Sequence, residues 1–160
     1  MVSGPTLQQQ VQGKVDEIKQ ALTGVSEEQA LKKPGTDEWC VKEILSHLTG
    51  EENAVMMYQL NRILDEETPT LTLTPGVSAY DSERENAPIS QLLSNVESQY
   101  ADLGKFFAGL NDEQLGRKAH IPFLKESPLG EYPTLGQWAM GIINFHLADH
   151  VQQIRTLAQQ

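Results

Sequence analysis

A chain of 160 residues, 39% apolar and 21% charged, is one globular domain, long enough to bury about two-thirds of its unfolded surface. Twenty-two acidic residues against 12 basic ones give a formal net charge of −10, which speaks against binding nucleic acid or docking on an anionic membrane. A single cysteine, Cys40, excludes an internal disulfide and an all-cysteine metal site.

No apolar stretch approaches the roughly 18 residues of a membrane span, and residues 1–6 carry neither the basic nor the apolar region of a secretory signal. A cytoplasmic protein is expected. The first helix is expected over about 7–23, where Leu7, Val11, Val15, Ile18 and Leu22 form one stripe at helical spacing. Thr6 with Gln9 fits a capping box, Pro5 stands outside the helix, and Gly24 stops it. Ser26 to Gln29 is a second capping box, for a short turn ended by Pro34 and Gly35. The second helix is expected from about 39 to 66, with Val41, Ile44, Leu45, Leu48, Val55, Met56 and Ile63 on its apolar face. A connection rich in Thr, Pro, Gly and Ser follows over 68–88, long enough to cross the domain. The Thr/Leu alternation at 70–74 resembles a strand for which the sequence offers no partner. The third helix starts near Ser90 and carries Leu92, Val96, Tyr100, Leu103 and Phe107. A second long connection over 111–133 includes a short turn at 112–115. The fourth helix runs from Thr134 to the C-terminus. Four amphipathic helices joined by long connections read as an all-α four-helix bundle with a crossover, one domain over 1–160.

Three of the four histidines fall on helices. At about 100° per residue, His146 and His150 lie about 40° apart, between Ile142 and Ile143 in the middle of the apolar stripe. His47 sits beside its own helix's stripe, on a flank shared with Glu51 and Tyr58. A buried imidazole is costly unless both ring nitrogens are satisfied, and two inward ones a turn apart repel when protonated. A divalent cation removes both costs. An i, i+4 pair supplies two ligands, and a histidine from a facing helix would complete a set of three that leaves a position open for water or substrate. Nitrogen donors suit Zn, Ni, Fe or Co alike. The plainer reading is a pair of core histidines hydrogen-bonded to their neighbours. Leu147 stands where a zincin would have its general base, so that motif is absent. His120, in the second connection, reads as a loop residue.

Two stretches together resemble the DinB-like (YfiT-like) superfamily of metalloenzymes. One runs from Pro34 through Trp39 to His47 and Leu48, like the family's tryptophan, helix start and first ligand histidine. The other runs from Thr134 through His146 and His150 to Gln153 and Ile154, like the last helix with its ligand pair followed by Gln-Ile. The resemblance implies a crossover four-helix bundle, a divalent metal held by His47, His146 and His150, and a homodimer. Relatives include transferases and isomerases that use low-molecular-weight thiols, and hydrolases. Cys40 departs from the family's serine after the tryptophan. It keeps the box spacing with Glu43 but caps poorly, and a thiol at a helix N-terminus is expected to have a lowered pKa.

The chemistry expected of such a site is attack by an activated water or thiol on a small electrophilic substrate. Glu51, one turn after His47, is the candidate proton acceptor, with Asp149 and Gln153 behind it. Tyr58 is expected to pack in the core. A thiol cofactor would need its carboxylates held, work for which Arg62, Arg84, Arg117 and Arg155 are available. The competing reading is a non-catalytic, metal-stapled bundle that acts as a dimeric stress-response scaffold.

Overall fold

The structure, a computed structural model, describes residues 2–73 and 78–160, without the side chains of residues 51–53. Helix α1 spans Gly4–Ala21, three residues earlier than the stripe suggested. Its cap is Ser3, whose hydroxyl accepts from the Thr6 N–H at 3.3 Å, and Pro5 lies inside the first turn. Proline is favoured there, because a first-turn N–H has no intrahelical partner to lose. The Thr6–Gln9 box is therefore not used. Gly24 leaves the helix with φ of 80°, where a side chain would be strained. The Ser26–Gln29 box forms as expected and opens α2 (Glu27–Leu31).

The long second helix is in fact two. Helix α3 covers Val41–Leu48 and α4 covers Glu51–Asp65, with the break at Thr49 and Gly50. A Cβ on Gly50 would collide with Ala79, so the glycine lets the connection from the far side pass over the break. The break also turns the apolar face. Leu60 and Ile63 are buried, whereas Val55, expected inward, is exposed. Every residue of α3 is buried, including Lys42, Glu43, Ser46 and His47. Among the described residues of the first connection, Thr70 does find a partner, since it bridges His120 in the second connection. The Leu71 N–H donates to the His120 carbonyl at 2.8 Å and the His120 N–H to the Pro69 carbonyl at 2.9 Å. Thr74 lies outside the described residues.

Helix α5 (Ser82–Asn86) leads into α6 (Ile89–Ala108), and a capped turn α7 (Asp112–Leu115) into the second connection. The last helix consists of α8 (Leu135–Gly141), a π-helical turn (Ile142–Leu147) and α9 (Ala148–Ala158). Helix α1 lies along α6 and α9, and α3 packs against α6 and α9, which makes the four-helix bundle. Its centre is filled by Leu7, Leu45, Tyr100, Leu103, Phe107 and Ile143.

Lys42 shows how the crossover is fastened to α3. Its ammonium, on a side chain only 3% exposed, donates to the carbonyls of Glu85 (2.9 Å) and Ala87 (2.8 Å) and pairs with Glu27 at 2.9 Å. All three donors are used. Lys42→Met keeps the stem and strands those three acceptors, so a loss of about 2–3 kcal/mol in urea unfolding is expected. A loss below about 0.5 kcal/mol would show that the ammonium does not hold the crossover.

Candidate metal centre

The structure brings His47, His146 and His150 together, and it does so through one ring atom each. His47 Nε2 lies 3.2 Å from His146 Nε2, and His150 Nε2 lies 3.3 Å from the same atom. One nitrogen from each ring falls within a 4.8 Å cluster. Two nitrogens bound to one tetrahedral Zn at 2.0–2.1 Å are about 3.3 Å apart. The donor chemistry and the spacing therefore fit a three-nitrogen face of a divalent site.

Helix α3 supplies His47 at 4% exposure and the last helix supplies His150 at 8%, whereas His146 is only half-buried. The open side of the cluster is thus the His146 side. Trp39, just before α3, walls the opposite side. Its ring centroid lies 4.8 Å from that of His47 and is stacked at 6.4 Å over His150. The outer nitrogen of His150, Nδ1, meets Gln153 Oε1 at 2.9 Å. Asp149 is exposed.

The π-turn explains the placement of the pair. A straight α-helix would put both histidines in the centre of the stripe set by Leu135, Ala139, Ile142 and Ile143. Leu147, Val151 and Ile154, all buried, would then lie about 100° away from it, one residue's rotation. The wide turn absorbs one residue. It returns Leu147, Val151 and Ile154 to the core and rotates His146 and His150 to its edge, where they face α3.

Several expectations change. Tyr58 is 66% exposed and does not pack in the core. Cys40 is buried, at 1% exposure, and burial pushes its thiol above the ordinary value, with the Glu43 carboxylate beside it adding to the rise. The lowered pKa expected at a helix N-terminus is overturned, because desolvation outweighs the dipole. Cys40 and Glu43 nonetheless close a capping box, in which Glu43 accepts from the Cys40 N–H at 2.8 Å and the Cys40 side chain from the Glu43 N–H. The side chain of Glu51 lies outside the described residues, though its backbone opens α4 directly after the helix that bears His47. His120 is a loop residue, held between Glu131 (2.8 Å) and the Thr70 hydroxyl (3.2 Å), with its ring stacked on Tyr132.

All four arginines are engaged within the chain. Arg62 forks onto Glu66 at 2.6 and 2.8 Å. Arg84 caps the end of α3 at the Ser46 carbonyl and the Thr49 hydroxyl. Arg117 donates to the carbonyls of Ile63 and Glu66, and Arg155 pairs with Glu17. The contacts of Arg84, Arg117 and Arg155 are tertiary and could not be read locally, whereas the Arg62–Glu66 pair is an i, i+4 contact.

Comparison with known proteins places the chain. The model of the DinB superfamily matches residues 11–154, and the chain belongs to that superfamily. No curated protein matches it significantly. Among solved structures it is similar to YfiT from Bacillus subtilis, with a TM-score of 0.74 and 21% identity over 99% of this chain and 89% of that one. YfiT is described as a probable metal-dependent hydrolase with an unusual four-helix bundle topology. No helix among the described residues is long and apolar enough to cross a membrane.

Proposed function

We propose that this chain is a metal-dependent hydrolase of small electrophilic molecules, with a divalent cation held by His47, His146 and His150. The convergence of the three Nε2 atoms at 3.2 and 3.3 Å carries the reading, and the description of YfiT supports it. A cation held there supplies the positive charge that makes a water acidic enough to attack near neutral pH. His47 and His150, buried, form the fixed floor of the site, and Trp39 keeps solvent from their far side. The substrate enters on the half-exposed His146 side. Glu51 accepts the proton of the attacking water.

The engaged arginines favour water over a low-molecular-weight thiol as the nucleophile. A thiol cofactor brings carboxylates, and every guanidinium of the chain already has partners.

The test is elemental analysis of the purified protein, followed by hydrolysis assays on ester and amide panels with the Zn- or Ni-loaded chain, with and without added thiol. About one ion per chain and thiol-independent hydrolysis are expected. Glu51→Gln is expected to keep the ion and lose about 10²–10⁴ in kcat. A chain that takes up no ion on reconstitution would refute the site. Activity that requires the thiol would refute water as the nucleophile. An ion with no hydrolysis of any panel member would leave the stapled scaffold.

A further inference from the structure

We infer that Gln153 is a positioning residue, whose amide oxygen fixes His150 in the tautomer that turns an unprotonated Nε2 toward His47 and His146. The inference rests on the metal site proposed above and deepens it. His150 is buried, so both of its ring nitrogens need partners. A neutral imidazole has one donor and one acceptor. At Nδ1 the partner is Gln153 Oε1, 2.9 Å away, and a carbonyl oxygen can only accept. Nδ1 must therefore carry the hydrogen, and the lone pair is left on Nε2, the atom that lies 3.3 Å from His146 Nε2. Free histidine favours the opposite tautomer, with the hydrogen on Nε2, which would block the ligand position.

The geometry of the helix supplies this contact cheaply. Gln153 is three residues after His150 on α9, so the two side chains share a face one turn apart. Val151 and Ile154, on either side of Gln153 on the core-facing side, hold that turn in place. Because the amide is neutral, it orients the ring without adding charge to the ligand set. A carboxylate in the same place would orient the ring and also make it more basic.

The test uses the full chain in two measurements. Nitrogen-15 NMR of the metal-free protein reads the tautomer directly. His150 is expected as the Nδ1–H form in the wild type and shifted toward the Nε2–H form in Gln153→Ala. Zinc titration against a competing chelator then reads affinity. Gln153→Ala is expected to bind about 10–100-fold more weakly, the usual cost of losing such an outer partner. Gln153→Glu, which keeps the acceptor, is expected to restore wild-type affinity or exceed it. Gln153 is exposed, so the variants should fold.

A wild type that binds zinc together with a Gln153→Ala variant of equal affinity and unchanged tautomer overturns the inference. A Gln153→Glu variant as weak as alanine also overturns it, because it would show that shape rather than hydrogen-bond acceptance matters. A wild type that binds no zinc overturns the metal site instead. The NMR result then decides the role of Gln153 alone.

Discussion

Alanine at His47 or His150 is expected to cut zinc affinity by about a hundred- to a thousandfold and to abolish the thermal stabilisation that zinc confers. A structural zinc site with four protein ligands is worth about 10–16 kcal/mol, or roughly 3–4 kcal/mol per ligand, which is two to three powers of ten. Two remaining imidazoles and water cannot replace the third. The readout follows from linkage. Zinc at a thousand times its Kd stabilises the wild type by about 4 kcal/mol, whereas a variant whose Kd has risen a thousandfold gains less than about 0.5 kcal/mol from the same solution. For a domain of this size that difference is about 7–15 °C in Tm. Without zinc the expected effect is small. His47 is 4% exposed, and its Nε2 lies 3.2 Å from a second imidazole nitrogen. Removing it separates two close ring nitrogens while opening a small cavity, so the metal-free Tm of His47→Ala should lie within a few degrees of the wild type. His146→Ala, at the half-exposed position, should lose zinc as well and disturb the metal-free fold least. A zinc-dependent Tm rise that survives in all three variants would show that the ion binds elsewhere.

The bundle and the inward-facing histidine pair of the last helix were legible in the sequence for one physical reason. Helical periodicity and a histidine pair at i, i+4 are local signals, and Leu7 to Leu22 or Leu92 to Phe107 state them without help from tertiary structure. What escaped was set by contacts between distant segments. The split of α3 from α4 at Gly50 depends on Ala79 passing over it, and glycine after threonine is too weak a local signal to locate a break. Thr70 finds a bridging partner because the second connection folds back beside the first. Three of the four arginines looked available because their acceptors are brought in by the fold, whereas the Arg62–Glu66 pair, at i, i+4, was readable locally. Cys40 was misjudged because its position at a helix N-terminus is readable and its burial is not. The π-turn is a different case, since the spacing of Ile143, Leu147, Val151 and Ile154 already drifts away from that of Leu135, Ala139 and Ile142. Reading the last helix as straight placed the histidines at the centre of the stripe instead of its edge.

That drift makes an asymmetric prediction about the length of the last helix. In a straight α-helix, one added residue and one removed residue are equally harmful, because each rotates everything beyond it by about 100°. Here the π-turn already holds one residue in excess. Removing Asn144, which is exposed, should convert the wide turn to α-helix and leave both flanks in register. Leu147, Val151 and Ile154 stay in the core, and His146 and His150 keep their spacing to one another. Stability is expected within about 1–2 kcal/mol of the wild type, since a better-bonded α turn offsets the local repacking. Inserting one alanine between Asn144 and Phe145 has no such outlet. It swings Leu147, Val151 and Ile154 off the stripe at about 1.5–3 kcal/mol each, a sum of about 5–9 kcal/mol against a total stability of about 5–15 kcal/mol. It also carries the His146–His150 pair away from His47. The insertion variant should therefore be largely unfolded by circular dichroism and bind no zinc, while the deletion variant unfolds cooperatively in urea and binds zinc within about tenfold of the wild type. Equal damage from the two changes would mean that the π-turn does not set the register of the ligand pair, and the rotation that brings it to face α3 would need another cause.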